Sequence, residues 1–135
     1  MTDGKTYRDP EIGAVRALLA SMPAPLEEGS GDWTTRRAGI DAFGDRSPLP
    51  EGLTVEAIDI AGLPAEVLTP AGADPARALL YLHGGGYCIG SPRSHRTLTS
   101  QFSLLTGGAV LAIDYRLMPE HRRSAGIEDC RSAYR

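Results

Sequence analysis

The stretch Arg77-Ala78-Leu79-Leu80-Tyr81-Leu82-His83-Gly84-Gly85-Gly86-Tyr87 decides how this chain folds. Its first half is short and nearly all apolar, the type of strand buried on both faces of a parallel sheet. Its second half is a glycine turn, placed where open α/β sheets bind ligands, at the carboxyl end of a strand. Consecutive glycines leave backbone N–H groups unshielded and able to approach a ligand closely. Such a turn can stabilise a negative oxygen as it forms. A simple turn seldom needs three glycines, because each adds to the backbone entropy lost on folding. The turn fits neither G-x-x-x-x-G-K-[ST], since no lysine follows, nor G-x-G-x-x-G, since its glycines are adjacent. His83 directly follows an apolar strand, so it is expected to donate hydrogen bonds that fix the turn rather than to act as a base.

Downstream, Ser91 to Gly107 reads as a helix with Leu98, Phe102 and Leu105 on one face and Gly107-Gly108 as its stop. Ala109 to Asp114 is a second buried-type strand. A last helix is expected from Ile127, carrying Ile127, Cys130 and Tyr134 on one side. Upstream, Leu53 to Ile60 and Leu63 to Thr69 read as a hairpin closed by Ala61-Gly62. Residues 44–52, with Gly44, Pro48, Pro50 and Gly52, read as a linker.

Before the linker, Asp9-Pro10 opens a helix whose Ile12, Val15, Leu18, Leu19 and Met22 form one stripe, ended by Pro23 and Pro25. Trp33 to Phe43 forms another, with Trp33, Arg37, Ile40 and Phe43 at helical intervals. Both stripes are expected to pack onto the rest of the protein; in an enzyme they could also form a lid. The expected class is α/β: a helical region over 1–47, then over 48–135 an antiparallel hairpin leading into a parallel strand–helix–strand–helix unit.

Composition narrows the function. The 135 residues carry 14 basic and 17 acidic side chains, a net charge of −3 with no basic footprint for nucleic acid. Lys5 is the only lysine, which weighs against lysine-based phosphate grips and a polybasic membrane patch. No stretch reaches membrane-spanning length. Cys88 and Cys130 have no metal-ligand spacing and read as free thiols of a reduced, cytoplasmic protein. His95, at a helix start, and His121, in a polar loop, read as surface residues. No metal or cofactor is expected.

Two segments together, His83-Gly84-Gly85-Gly86-Tyr87-Cys88-Ile89-Gly90-Ser91 and Asp114-Tyr115-Arg116-Leu117-Met118-Pro119-Glu120-His121, resemble the hormone-sensitive-lipase group of α/β-hydrolase carboxylesterases. Glu128-Asp129-Cys130 and Ala133-Tyr134 extend the likeness, which covers roughly residues 50–135. The resemblance implies that residues 1–47 correspond to a helical cap and 48–135 to an incomplete hydrolase domain. It implies that the N–H groups of Gly85 and Gly86 face the developing oxyanion, with Gly84 completing the turn and His83 supporting it. Tyr87 and Cys88 would lie at the floor or wall of the acyl pocket. Asp114, Arg116 and Glu120 would form a charged network pinning the loop after the second parallel strand, though on a bare reading they suit a solvated turn equally. The implied reaction is hydrolysis of small carboxylic esters through an acyl-enzyme.

Two departures stand out. Relatives follow Pro-Glu-His with an apolar, proline-containing run, whereas this chain has Arg122-Arg123-Ser124-Ala125-Gly126, which is expected to weaken docking of the last helix. No serine lies in G-x-S-x-G, and the family's nucleophile, acid and histidine would all follow Arg135. The chain is therefore expected to be an N-terminal fragment of such an esterase, or a non-catalytic ligand-binding or interaction remnant of the same fold. The strand Ala78 to Leu82 would lack its partner strand. That leaves an exposed edge through which the chain would self-associate or meet a complementing chain.

Overall fold

A computed structural model describes residues 10–21 and 32–135. It forms two compact units that divide after Gly31. The first unit contributes the described helix α1 (Pro10–Ser21), with proline at its first position, where the missing N–H costs nothing. Val15 and Leu18 of its apolar stripe are 53% and 45% exposed. Met22 and the prolines that follow lie outside the described residues.

The second unit, Asp32–Arg135, holds α2 (Trp33–Gly44), β1 (Leu53–Ile60), β2 (Leu63–Pro70), β3 (Ala78–Tyr81), α3 (Arg96–Thr106), β4 (Ala109–Ile113) and α4 (Arg123–Tyr134). Asp32 caps α2, its carboxylate accepting from the Thr34 N–H at 2.9 Å and the Thr35 hydroxyl at 2.6 Å. Strands β1 and β2 form the expected hairpin, with Ile60 opposite Leu63. Ala61 and Gly62 both take positive φ, 55° and 80°, the geometry of a two-residue turn that matches strand twist. The sheet order is β1-β2-β4-β3, with β2 antiparallel and β3 parallel to β4. An antiparallel hairpin thus leads into a parallel pair, as expected. Among the described residues strand β3 is an edge with one partner, so Leu79, Leu80 and Tyr81 are half-buried rather than enclosed on both faces. Leu68, Val110 and Ile113 are fully buried, and Ile113 joins Ala65, Tyr115, Leu117 and Ala133 in one apolar cluster under the β4 exit.

Both later helices depart from expectation. Helix α3 starts at Arg96 rather than Ser91, and its buried face is Thr99, Ser100 and Ser103. Leu98 and Leu105 are 44% and 81% exposed. The hydroxyls are satisfied internally: Thr99 and Ser100 donate to the Arg96 carbonyl, and Ser103 reaches the carbonyls of Leu68 and Gly108 at 3.2 and 3.0 Å. Small side chains thus press this helix close to the sheet.

Helix α4 begins at Arg123, four residues before Ile127, and it docks firmly despite the two arginines. Gly126 meets the β4 exit so closely that a Cβ there would lie 2.6 Å from the Arg116 carbonyl oxygen. Asp129 and Ala133 are buried alongside it. Tyr134, expected on the packed side, is 81% exposed.

Candidate active site

The apolar register of β3 ends at Leu82, and the chain then turns through Gly84, Gly85 and Gly86. Gly85 and Gly86 adopt φ of 124° and 62°. A side chain on Gly85 would collide with the Ile89 carbonyl, so only glycine fits there. The Gly85 carbonyl accepts from the N–H groups of Cys88 and Ile89, both at 3.1 Å, which closes the turn. Among the described residues no hydrogen bond engages the N–H of Gly85 or Gly86. Tyr87 also sits at positive φ, 62°, uncommon for a residue with a side chain.

His83 is 3% exposed and supports the turn. Its Nδ1 lies 2.9 Å from the Gly84 carbonyl oxygen, which can only accept, so Nδ1 carries the proton. Its ring stacks on Tyr115 at 4.2 Å, and the Tyr115 hydroxyl donates to the His83 carbonyl at 2.6 Å. Burial holds the imidazole below its ordinary pKa and pushes the Tyr115 phenol up to about 12. His95 is half-buried rather than a surface residue, its ring 5.6 Å from His83 and 5.9 Å from Tyr81. The Ser94 hydroxyl spends its proton on the Ser91 carbonyl, so His95 Nδ1 donates to Ser94 Oγ at 3.0 Å.

The turn borders a hollow of 820 Å³. Leu80, Leu82, Tyr87, Tyr115, Ile127 and Cys130 give it apolar walls. Cys88 is not among the lining residues; its carbonyl accepts from Arg37 at 2.9 Å. Free, unengaged amides beside an apolar hollow can donate to an anionic oxygen at little reorganisation cost. Among the described residues no group of histidine, cysteine and carboxylate side chains could hold a metal ion. Among them, too, no helix is long and apolar enough to cross a membrane.

The three charged residues after β4 do not form one network. Arg116 grips Asp129 with Nε and Nη2 at 2.9 and 2.7 Å, and the Arg116 N–H adds a third bond at 2.9 Å. Arg116 accordingly holds the Asp129 carboxyl below its usual pKa. Glu120 pairs separately with Arg37. Among the described residues the Asp114 carboxylate makes no hydrogen bond or ion pair, though it lies close enough to Arg37 to feel its charge. Although part of it meets solvent, desolvation of its carboxyl and then nearby Asp41 raise its pKa.

Three supporting residues escaped the sequence reading. Gly90 leaves room for the His83 ring: a Cβ there would stand 2.5 Å from both His83 Nδ1 and the Gly84 carbonyl oxygen. Its positive φ, 96°, is a requirement no pattern announced. Asp41 on α2 accepts from the Ser91 hydroxyl at 2.5 Å. Arg37, counted among packing positions, donates to three residues on two segments, Cys88 after the turn and Met118 and Glu120 after β4.

A family model described as α/β-hydrolase fold matches residues 79–135. An acetyl-hydrolase of Streptomyces hygroscopicus is 39% identical over 130 residues, 93% of this chain and 41% of that protein. The esterase LipU of Mycobacterium tuberculosis is 36% identical over 90% of this chain and 41% of its own length. A crystal structure of an esterase from the bacterial hormone-sensitive lipase family superposes with a TM-score of 0.81 at 34% identity, covering 94% of this chain and 42% of that one. The chain therefore spans about two-fifths of the length of these relatives. By sequence and by fold it is similar to an N-terminal portion of the hormone-sensitive-lipase-like carboxylesterases, and its fold is that part of the α/β-hydrolase fold.

Proposed function

We propose that this chain supplies the oxyanion-binding wall of a serine carboxylesterase that hydrolyses small carboxylic esters through an acyl-enzyme. The observation that carries the reading is the pair of unengaged N–H groups on Gly85 and Gly86, beside an apolar hollow of 820 Å³. A serine attacks the ester carbonyl, the carbonyl oxygen becomes negative, and Gly85 and Gly86 donate to it. Collapse of the tetrahedral species expels the alcohol and leaves the acyl group on serine, from which water removes it. Gly84 completes the turn, His83 fixes it, and Tyr87 forms a wall of the acyl pocket. The nucleophile, the base and its acidic partner are assigned to polypeptide other than these 135 residues, which hold no G-x-S-x-G. No metal or cofactor takes part. Two thiols without a disulfide, Cys88 and Cys130, suit a reducing, cytoplasmic setting.

The test joins residues 1–135 to the part of the Streptomyces acetyl-hydrolase that follows its matched segment. A folded chimera is expected to hydrolyse p-nitrophenyl acetate and to lose that activity to a serine-directed inhibitor. Gly86→Ala is the informative variant, since a Cβ there meets nothing within 4 Å and strains only the backbone. Its turnover should fall by about 10²-fold if one donor is misaimed. A folded, inhibitor-sensitive chimera whose Gly86→Ala variant turns over normally would remove the oxyanion reading. Residues 1–135 alone should show no turnover, and serine-dependent hydrolysis by them would overturn the assignment of the nucleophile elsewhere.

A further inference from the structure

We infer that Arg37 is a positioning residue for the glycine turn, acting through the carbonyls at the turn's exit. Its guanidinium reaches three places at once. Nε donates to the Cys88 carbonyl at 2.9 Å, on the segment that leaves the turn. Nη2 donates to the Met118 carbonyl at 2.8 Å, in the loop after β4. Nη1 and Nη2 together hold the Glu120 carboxylate at 2.9 and 2.8 Å. The Met118 N–H in turn donates to the Tyr87 carbonyl at 2.7 Å, so the two loops are also stitched to each other.

The brace sits where the turn's aim is decided. Cys88 and Ile89 donate to Gly85, and Ile89 occupies the space a Gly85 side chain would need. Any shift of Tyr87–Ile89 must therefore be transmitted to Gly85 and Gly86. A planar five-donor fork can serve two carbonyls and a carboxylate in fixed directions, which an ammonium cannot. Glu120 keeps the guanidinium in place, and is 47% exposed against 23% for Arg37, so the carbonyl bonds lie on the more protected side. Helix α2 is itself anchored nearby. Asp41 accepts from Ser91, Asp45 pairs with Arg93, and a Cβ on Gly44 would lie 2.7 Å from the Arg93 carbonyl oxygen. The base of Arg37 is thus held by contacts to Ser91 and Arg93, beyond the Tyr87–Ile89 stretch that it braces.

The inference rests on the oxyanion reading for its functional meaning, but its test reads the geometry of the turn alone. Amide exchange and 1H–15N spectra of the folded chimera would be compared for wild type, Arg37→Ala, Arg37→Lys and Glu120→Gln. In Arg37→Lys, exchange at Cys88, Ile89 and Met118 should accelerate roughly tenfold or more, the expected effect of losing a charged hydrogen bond on a local opening. The Gly84–Gly86 resonances should move, while exchange in β2 and β4 stays unchanged. Glu120→Gln keeps a carbonyl acceptor for the guanidinium and should leave the turn resonances in place. Turn resonances that do not move in Arg37→Lys would overturn the inference, as would Glu120→Gln disturbing the turn as much as Arg37→Lys does. If Arg37→Ala fails to fold, the Lys and Gln variants still decide the matter. A stationary turn in Arg37→Lys leaves the oxyanion reading standing, and normal turnover in the Gly86→Ala chimera leaves the brace standing.

Discussion

At the residue scale, the glycine turn is built on one buried imidazole. His83 bonds Gly84 through Nδ1, stacks on Tyr115, and needs Gly90 to have no side chain. Gly90→Ala would force a Cβ to within 2.5 Å of the ring and the Gly84 carbonyl oxygen at a φ of 96°. It should cost about 2–5 kcal/mol from overpacking and backbone strain together. Gly86→Ala, with open space around it, should cost only about 1–2 kcal/mol. Urea denaturation of the two variants should rank them in that order, and equal costs would mean that the His83 ring does not need the space. The imidazole also makes a pH prediction. Its folded pKa lies below the ordinary 6.5, so the unfolded chain takes up the proton first. Its contribution to stability is present above pH 6.5 and is lost as pH falls from there through the folded value. His83→Asn keeps a donor for Gly84 but cannot titrate, and should flatten this part of the stability profile. An unchanged slope would assign the dependence to another group.

At the scale of elements, α3 shows how polarity can disguise a packing face. Of its expected core face Leu98, Phe102 and Leu105, only Phe102 is half-buried, against Tyr81, while Thr99, Ser100 and Ser103 lie against the sheet with their hydroxyls bonded to main-chain carbonyls. Ser103→Leu should therefore destabilise by about 2–4 kcal/mol, through overpacking and loss of a donor to two buried carbonyls. Leu105→Gln, at 81% exposure, should stay within about 0.5 kcal/mol. Thermal or urea midpoints check the pair, and the reverse ranking would restore the leucines as the packing face. The same helix marks the limit of what the sequence makes legible. Strands β1 to β4 could be read because apolar runs and glycine turns are local signals, and the turn at Gly84–Gly86 declared itself for the same reason. The buried face of α3 could not, since whether Ser103 is satisfied depends on an acceptor carbonyl of Leu68 in β2. Helix α4 carried a second such ambiguity: Arg122 and Arg123 suggested poor docking, while Gly126 and Asp129 secured it through contacts with Arg116. Arg37 was illegible in principle, because its acceptors lie 51, 81 and 83 residues away along the chain.

At the scale of the whole unit, the sheet ends on its most consequential strand. Among the described residues β3 pairs only with β4, so the other side of Ala78–Tyr81 presents unpaired backbone groups. The 820 Å³ hollow opens beside this strand, bordered by Leu82 at 46% exposure and Tyr134 at 81%. A strand edge and an apolar hollow side by side favour association with another chain. Residues 1–135 on their own should therefore sediment as concentration-dependent oligomers and melt with a broad transition. Leu82 is the position at which to test the cause, because it stands at the end of β3 and lines the hollow without holding the turn by any hydrogen bond. Leu82→Lys places a charge at that edge, a device that natural edge strands use against pairing. It should shift sedimentation toward monomer and raise the solubility limit several-fold, while the secondary structure seen by circular dichroism is unchanged. A sharp, reversible, monomeric transition of the wild-type chain would show that the edge is covered. Oligomers indifferent to Leu82→Lys would place the contact elsewhere, with exposed Leu98, Leu104 and Leu105 of α3 as the next surface to charge.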